Sequence, residues 1–195
     1  AKSFGDAVRL AQHAGFDAVE IHAGHGYLIS QFLSPFINRR KDEFGGSLQN
    51  RMRFMQLVME EVLSAADGRT AVFGENKKRG GGPGGRGIEE SLKVAKTLEN
   101  MGVNALVLSG GLVSRSPMYV LRGEMPVKTL ARHVDNPVVS LMVRIFGKIM
   151  IPKVPFHENY FLDDARLFRK ALKMPLVYVG GILSKTNIDK VLSEG

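Results

Sequence analysis

The 195-residue chain contains no cysteine. That absence excludes a disulfide-stapled scaffold, a thiolate zinc site and a cysteine nucleophile, and it suits a reducing compartment, so a cytoplasmic location is expected. A long uninterrupted apolar run is also missing. The most apolar segment, Val138 to Ile151, is broken by Arg144 and Lys148 and falls short of the about 20 apolar residues that a bilayer-spanning helix needs. It reads as a buried or lid helix, with attachment to a membrane surface as the lesser alternative. No charged start, apolar middle and small-residue cleavage site marks a secretory signal. Acidic charge is in short supply: the formal net charge is +8 and the pI about 9.8. Such an excess suits nucleic acid or a phosphorylated cofactor alike, and composition does not choose between them. Part of it is local, since Lys77, Lys78, Arg79 and Arg86 fall within one glycine-rich loop.

What is present is ordinary globular material, 44% hydrophobic and 24% charged. The length supports one domain with a real core, yet it is short for a closed α/β barrel, which takes about 250 residues. The chain also starts at Ala1 inside a helical pattern. Both features predict a piece of a larger fold.

Helical and strand patterns alternate throughout. Val8, Leu10, Ala11 and Ala14 give a helical apolar face closed by Gly15, and Asp17 to His22 reads as a short strand. Met52, Met55, Val58, Val62 and Leu63 recur at helical spacing, followed by a strand pattern at Ala71-Val72-Phe73. Leu92, Ala95, Leu98 and Met101 mark the next helix, with Gly102 as its cap, and Ala105 to Leu108 a buried strand. Leu162 to Leu172 is helical, Leu176 to Val179 is a strand ending at Gly180-Gly181, and Ser184 is placed to cap a last helix over Thr186 to Leu192. Apolar strands separated by helices imply parallel βαβ pairing, with both sheet faces covered. The connections entering the strands are short, at Gly15-Phe16, Gly102-Val103 and Met174-Pro175. Those leaving them are long: His22 to Gly46, Gly74 to Gly87, and Gly110 to about Tyr160. In α/β barrels chemistry sits on the loops leaving the strands, so that rim is the functional one. The segment 111–160 is long enough to be a lid or binding element over it.

The first of these loops opens with His22-Ala23-Gly24-His25-Gly26-Tyr27. Two imidazoles three residues apart, just past a strand end, can converge on one ligand oxygen and stabilise charge developing there. Tyr27 adds a phenol able to deliver a proton, while Gly24 and Gly26 permit a tight backbone path. The residues alone equally allow two histidines that satisfy loop carbonyls, or a metal site lacking a third ligand nearby.

The run from Gly15 to Leu28, continuing through Gln31-Phe32-Leu33-Ser34-Pro35, Asn38-Arg39-Arg40, Asp42 to Ser47, Asn50-Arg51 and Arg53-Phe54, resembles the Old Yellow Enzyme family after its fourth barrel strand. Weaker resemblance extends over Leu106 to Gly111 and Leu176 to Gly181. The resemblance implies an incomplete (β/α)8 TIM barrel, about strands 4 to 7, in a single partial domain over 1–195. It implies FMN as cofactor, NAD(P)H as reductant and an activated alkene or similar small molecule as substrate. His22 and His25 would hold the substrate's carbonyl or nitro oxygen, and Tyr27 would protonate its α carbon. Gly180 and Gly181 would approach the FMN phosphate, with Gly110 and Gly111 lining the same rim. Asn38, Arg39, Arg40, Asp42 and Glu43 would brace the rim with Arg51 and Arg53. No metal, nucleic acid or membrane partner is implied. A four-strand piece leaves edges unpaired and apolar faces uncovered, so self-association or low stability is expected.

One stretch departs from the family. Between Gly74 and Gly87 the chain reads Gly-Glu-Asn-Lys-Lys-Arg followed by glycines. Relatives carry an apolar residue at the position of Gly74, and at that of Glu75 a cation facing the flavin. Length is kept from Phe73 to Glu89, and a Val-Lys codon pair displaced by one base reads Gly-Glu. A local frame shift restored near Arg86 and a true Gly/Arg-rich loop both account for it.

Overall fold

The computed structural model describes residues 1–77, 87–110, 122–123, 126–150 and 154–194. Its elements run α1 (Lys2–His13), β1 (Ala18–Ile21), α2 (Leu28–Leu33), α3 (Leu48–Ala66), β2 (Ala71–Lys77), α4 (Ile88–Met101), β3 (Ala105–Ser109), α5 (Val127–Arg132), α6 (Pro137–Met150), α7 (Leu162–Ala171), β4 (Leu176–Tyr178) and α8 (Lys185–Ser193). Among the described residues, β1 to β4 form one parallel sheet in chain order. The expected turn chemistry holds at three points. Gly15 and Gly102 take left-handed φ angles of 85° and 95°, and the Ser184 hydroxyl caps α8 by accepting from the Asn187 N–H.

The core lies between the sheet and α3, α4 and α7. Met55, Val58, Met59 and Val62 of α3 and Val94, Ala95 and Leu98 of α4 are buried with Leu106, Leu108 and Phe168. Each large aliphatic side chain removed from water contributes about 1.5–3 kcal/mol. All five residues of β3 are buried, whereas Val177 of edge strand β4 stays 39% exposed. A groove of about 580 Å³ runs beside β1 and α1, and one of about 380 Å³ beside β4, α7 and α8. Both open edges of the sheet are thus flanked by apolar hollows, as an incomplete barrel requires.

Two expectations change. β2 does not stop at Phe73 but continues to Lys77, because Gly74 to Lys77 pair in register with Leu106 to Ser109. Pairing overrides the poor strand propensity of Gly, Glu and Asn. The apolar segment is a helix, α6, but not a buried one: Val138, Leu141, Met142, Ile145 and Ile149 are all exposed. Among the described residues its opposite face packs against α5. There a Cβ at Gly147 would lie 2.6 Å from Val127 Cγ1, and the Ser140 hydroxyl donates to the Ala131 carbonyl at 2.6 Å. Of the 111–160 segment, 111–121, 124–125 and 151–153 fall outside the described residues, as do 78–86 of the glycine-rich loop. Among the described residues no helix is long and apolar enough to cross a membrane.

Candidate active site

The rim at the strand ends is built by β1, β2 and β3. Chain direction changes sharply after Ile21: His25 adopts φ 53° and Gly26 φ 96°, which turns the backbone so that Tyr27 becomes the N-cap of α2. The His22 and His25 rings stack with centroids 5.6 Å apart, and the Tyr27 ring meets His22 edge-on at 4.7 Å. The three residues singled out in the sequence are therefore brought together. Tyr27 is 64% exposed, so its phenol is open to a ligand. Partial burial pushes the His22 imidazole below its usual pKa, with Glu20 opposing.

Two more side chains complete the cluster. Ile21 pairs with Gly74, so Glu75 lies one residue beyond the end of β1. Its buried carboxylate contacts His22 Nδ1 through one oxygen and lies 3.3 Å from His25 Nε2 through the other. Ser109, at the end of β3, shares a 2.5 Å hydrogen bond with His25 Nε2 through its hydroxyl. Glycine at 24 is what admits the carboxylate, since a Cβ there would stand 2.3 Å from Glu75 Oε1. In sequence Glu75 is a departure within a loop; the extension of β2 brings it to the histidines, while Ser109 reaches His25 from the end of β3. Among the described residues no three His, Asp or Glu groups are arranged to hold a metal ion.

The remaining rim residues lie elsewhere. Gly110 follows Ser109 and is buried; Gly111 is outside the described residues. Gly180 and Gly181 follow β4, on the opposite edge of the sheet from β1. A Cβ at Gly180 would meet the Tyr178 hydroxyl at 2.2 Å, and one at Gly181, whose φ is 70°, the Tyr160 ring at 2.4 Å. The Leu183 and Ser184 N–H groups just beyond donate to Glu158 Oε2 at 2.7 and 2.8 Å. Those bonds hold the Glu158 carboxyl below its ordinary pKa.

Side chains of the next loop and of α3 hold that loop in place. Arg51 is buried and donates to the Leu33 carbonyl at 2.5 Å, the Gly46 carbonyl at 3.1 Å and Glu90 Oε1 at 2.7 Å. The Asn38 amide donates to the Phe32 and Phe44 carbonyls at 2.7 and 2.8 Å. Arg40 pairs with Asp42. Among the described residues, the hydrogen bonds of Asn38, Arg40 and Arg51 go to this loop, α2 and α4, and not to His22, His25, Tyr27 or Glu75.

The described residues thus form an open parallel α/β sheet with two histidines and a tyrosine on its C-terminal rim. Residues 1–111 match the family model described as NADH:flavin oxidoreductase / NADH oxidase. The chain belongs to that family, the Old Yellow Enzyme family, whose members use FMN with NAD(P)H as reductant. It is 39% identical over 98% of its length to the 4,4'-dithiodibutanoate disulfide reductase of Rhodococcus erythropolis, covering 48% of that protein. It is 36% identical over 85% of its length to an NADPH dehydrogenase of Halalkalibacterium halodurans, again covering 48%. A solved Old Yellow Enzyme homologue from Zymomonas mobilis superposes with a TM-score of 0.60 at 28% identity, over 97% of this chain and 43% of that one. The chain thus spans about half the length of the curated relatives it matches.

Charge decides whether the residues present suit the family's flavin. Reduction places negative charge on the flavin ring, which nearby cations or dipoles stabilise, and the phosphate needs unclaimed N–H donors. Here the buried Glu75 carboxylate stands at the centre of the rim, and Glu158 already takes the N–H pair after Gly180-Gly181. Both side-chain carboxylates must therefore give way before these residues fit the reduced, phosphorylated cofactor.

Proposed function

We propose that this chain is the substrate-handling part of an FMN- and NAD(P)H-dependent oxidoreductase that reduces activated alkenes or related electrophiles. The carrying observation is the convergence of His22 Nδ1 and His25 Nε2 toward one point on the rim, with the Tyr27 ring 4.7 Å from that of His22. N–H donors aimed at one point stabilise an oxygen that gains charge as its conjugated double bond is reduced. Proton delivery to the adjacent carbon then falls to Tyr27, the exposed phenol of the cluster. Hydride supply is flavin chemistry in the family; holding the oxygen and moving the proton is the part assigned to this chain. On this reading Gly110, Gly180 and Gly181 line the cofactor side. The disulfide named for the Rhodococcus relative widens the electrophile class beyond alkenes.

A second reading, in which the fold is kept and flavin retention is lost, is favoured by Glu75 and Glu158. Turnover separates the two. The purified chain, with saturating FMN and NADPH under anaerobic conditions, is expected to reduce 2-cyclohexen-1-one. Tyr27→Phe is expected to slow that step about 10²-fold or more while sparing flavin reduction by NADPH. Wild-type turnover no faster than free FMN, or equal loss of both half-reactions in the variant, overturns the first reading.

A further inference from the structure

We propose that Glu75 is an internal ligand of the two-histidine site, its carboxylate occupying the point where an external oxygen would be held. This rests on the reading that His22 and His25 hold an oxygen. The Glu75 carboxylate is buried, with one oxygen against His22 Nδ1 and the other 3.3 Å from His25 Nε2. A buried carboxylate demands donors, and among the described residues these two nitrogens are the ones within ion-pair distance of it.

An alternative role for such a carboxylate is to orient an imidazole whose other nitrogen binds the ligand. The geometry argues against it here. A clamp on the far side would need His22 Nε2 together with His25 Nδ1, and His25 Nδ1 is buried away from solvent. The side on which both rings can cooperate is the Glu75 side. His25 Nε2 is moreover engaged by the Ser109 hydroxyl at 2.5 Å, so Ser109, Glu75 and any external oxygen compete for one nitrogen. Gly24 completes the arrangement, because any larger residue would collide with Glu75 Oε1 at 2.3 Å.

The site therefore takes a carbonyl, nitro or carboxylate oxygen only by displacing Glu75, and it discriminates against anions while that carboxylate is in place. Removing the side chain leaves a hollow of carboxylate size with its donors intact. Acetate is the matching probe.

The test compares the full wild-type chain with Glu75→Ala and the near-isosteric Glu75→Gln, following the His22 and His25 ring nitrogens by ¹⁵N NMR. Acetate is expected to bind Glu75→Ala saturably and at least about tenfold tighter than wild type, the range set by a charge-assisted hydrogen bond, returning both imidazole signals toward their wild-type positions. Glu75→Gln is expected to shift the same two signals even if the alanine variant folds poorly. Equal acetate affinity in wild type and Glu75→Ala, or imidazole signals unmoved by either substitution, overturns the proposal. If acetate fills the site in Glu75→Ala but 2-cyclohexen-1-one moves neither imidazole, the internal ligand stands and the oxygen-holding reading falls.

Discussion

Replacing Arg51 by alanine removes one buried guanidinium that serves three partners at once. It joins the carbonyl of Leu33 at the end of α2, the carbonyl of Gly46 in the following loop, and Glu90 on α4. Hydrogen bonds from a charged donor contribute about 1.5–3 kcal/mol each. The Glu90 side chain is 34% exposed, so water recovers much of its share, and the two carbonyls dominate. The expected loss is about 3–5 kcal/mol, a large part of the net stability of a single domain, which is about 5–15 kcal/mol. With a urea dependence of about 2 kcal/mol per molar, the unfolding midpoint falls by about 2 M. Arg51→Lys keeps the charge but lacks the planar fork, so it recovers only part of the loss. Arg53→Ala is the matched control: that side chain is exposed and only lies over the Phe44 ring, and its loss is expected to stay below about 1 kcal/mol. Urea denaturation followed by circular dichroism reads all three. If Arg51→Ala costs less than about 1 kcal/mol, or no more than Arg53→Ala, the loop is not held as described.

Two further perturbations probe the fold and the site. Glu99 accepts from the Lys173 and Met174 N–H groups at 2.5 and 2.9 Å and pairs with Lys96; its pKa is held down to about 2, the Lys96 hydrogen bond being the largest cause. A carboxyl depressed on folding contributes stability above its unfolded value of 4.5 and loses it as pH falls toward 2. Glu99→Gln is therefore expected to lower the urea midpoint at neutral pH and to flatten its decline below pH 4.5, and parallel wild-type and variant profiles would sink the assignment. Gly24→Ala is expected to cost about 1–2 kcal/mol by forcing the Glu75 carboxylate off the histidines, and to cost almost nothing in a Glu75→Ala background. Additive thermal-melt losses in that double-mutant cycle would show that the two residues do not meet.

The alternation of strands and helices is readable because β1 and β3 carry apolar runs and α3 and α4 carry strict helical spacing, signals local to each segment. The histidine pair and Tyr27 stand out for the same reason, as one short stretch of chain. Glu75 does not. Its meaning depends on β2 lying beside β1 so that positions 22 and 75 become neighbours, and on Gly74 and Glu75 joining a strand that their own propensities oppose. The exposure of α6 is equally hidden, since an apolar helix looks the same in sequence whether one face or all of it is covered. Glu158 stands 25 residues before Leu183 in the chain, and only the fold carries its carboxylate to the Leu183 and Ser184 N–H groups.

The two open margins of the sheet, β1 and β4, obey a rule of topology. Adding a strand beside either one covers an edge and creates another, so the number of exposed edges never falls by extension. It falls to zero in one event, when a ring of parallel strands meets both margins together. Completion of this architecture is therefore all-or-none: intermediate additions enlarge the core but always leave two seams open.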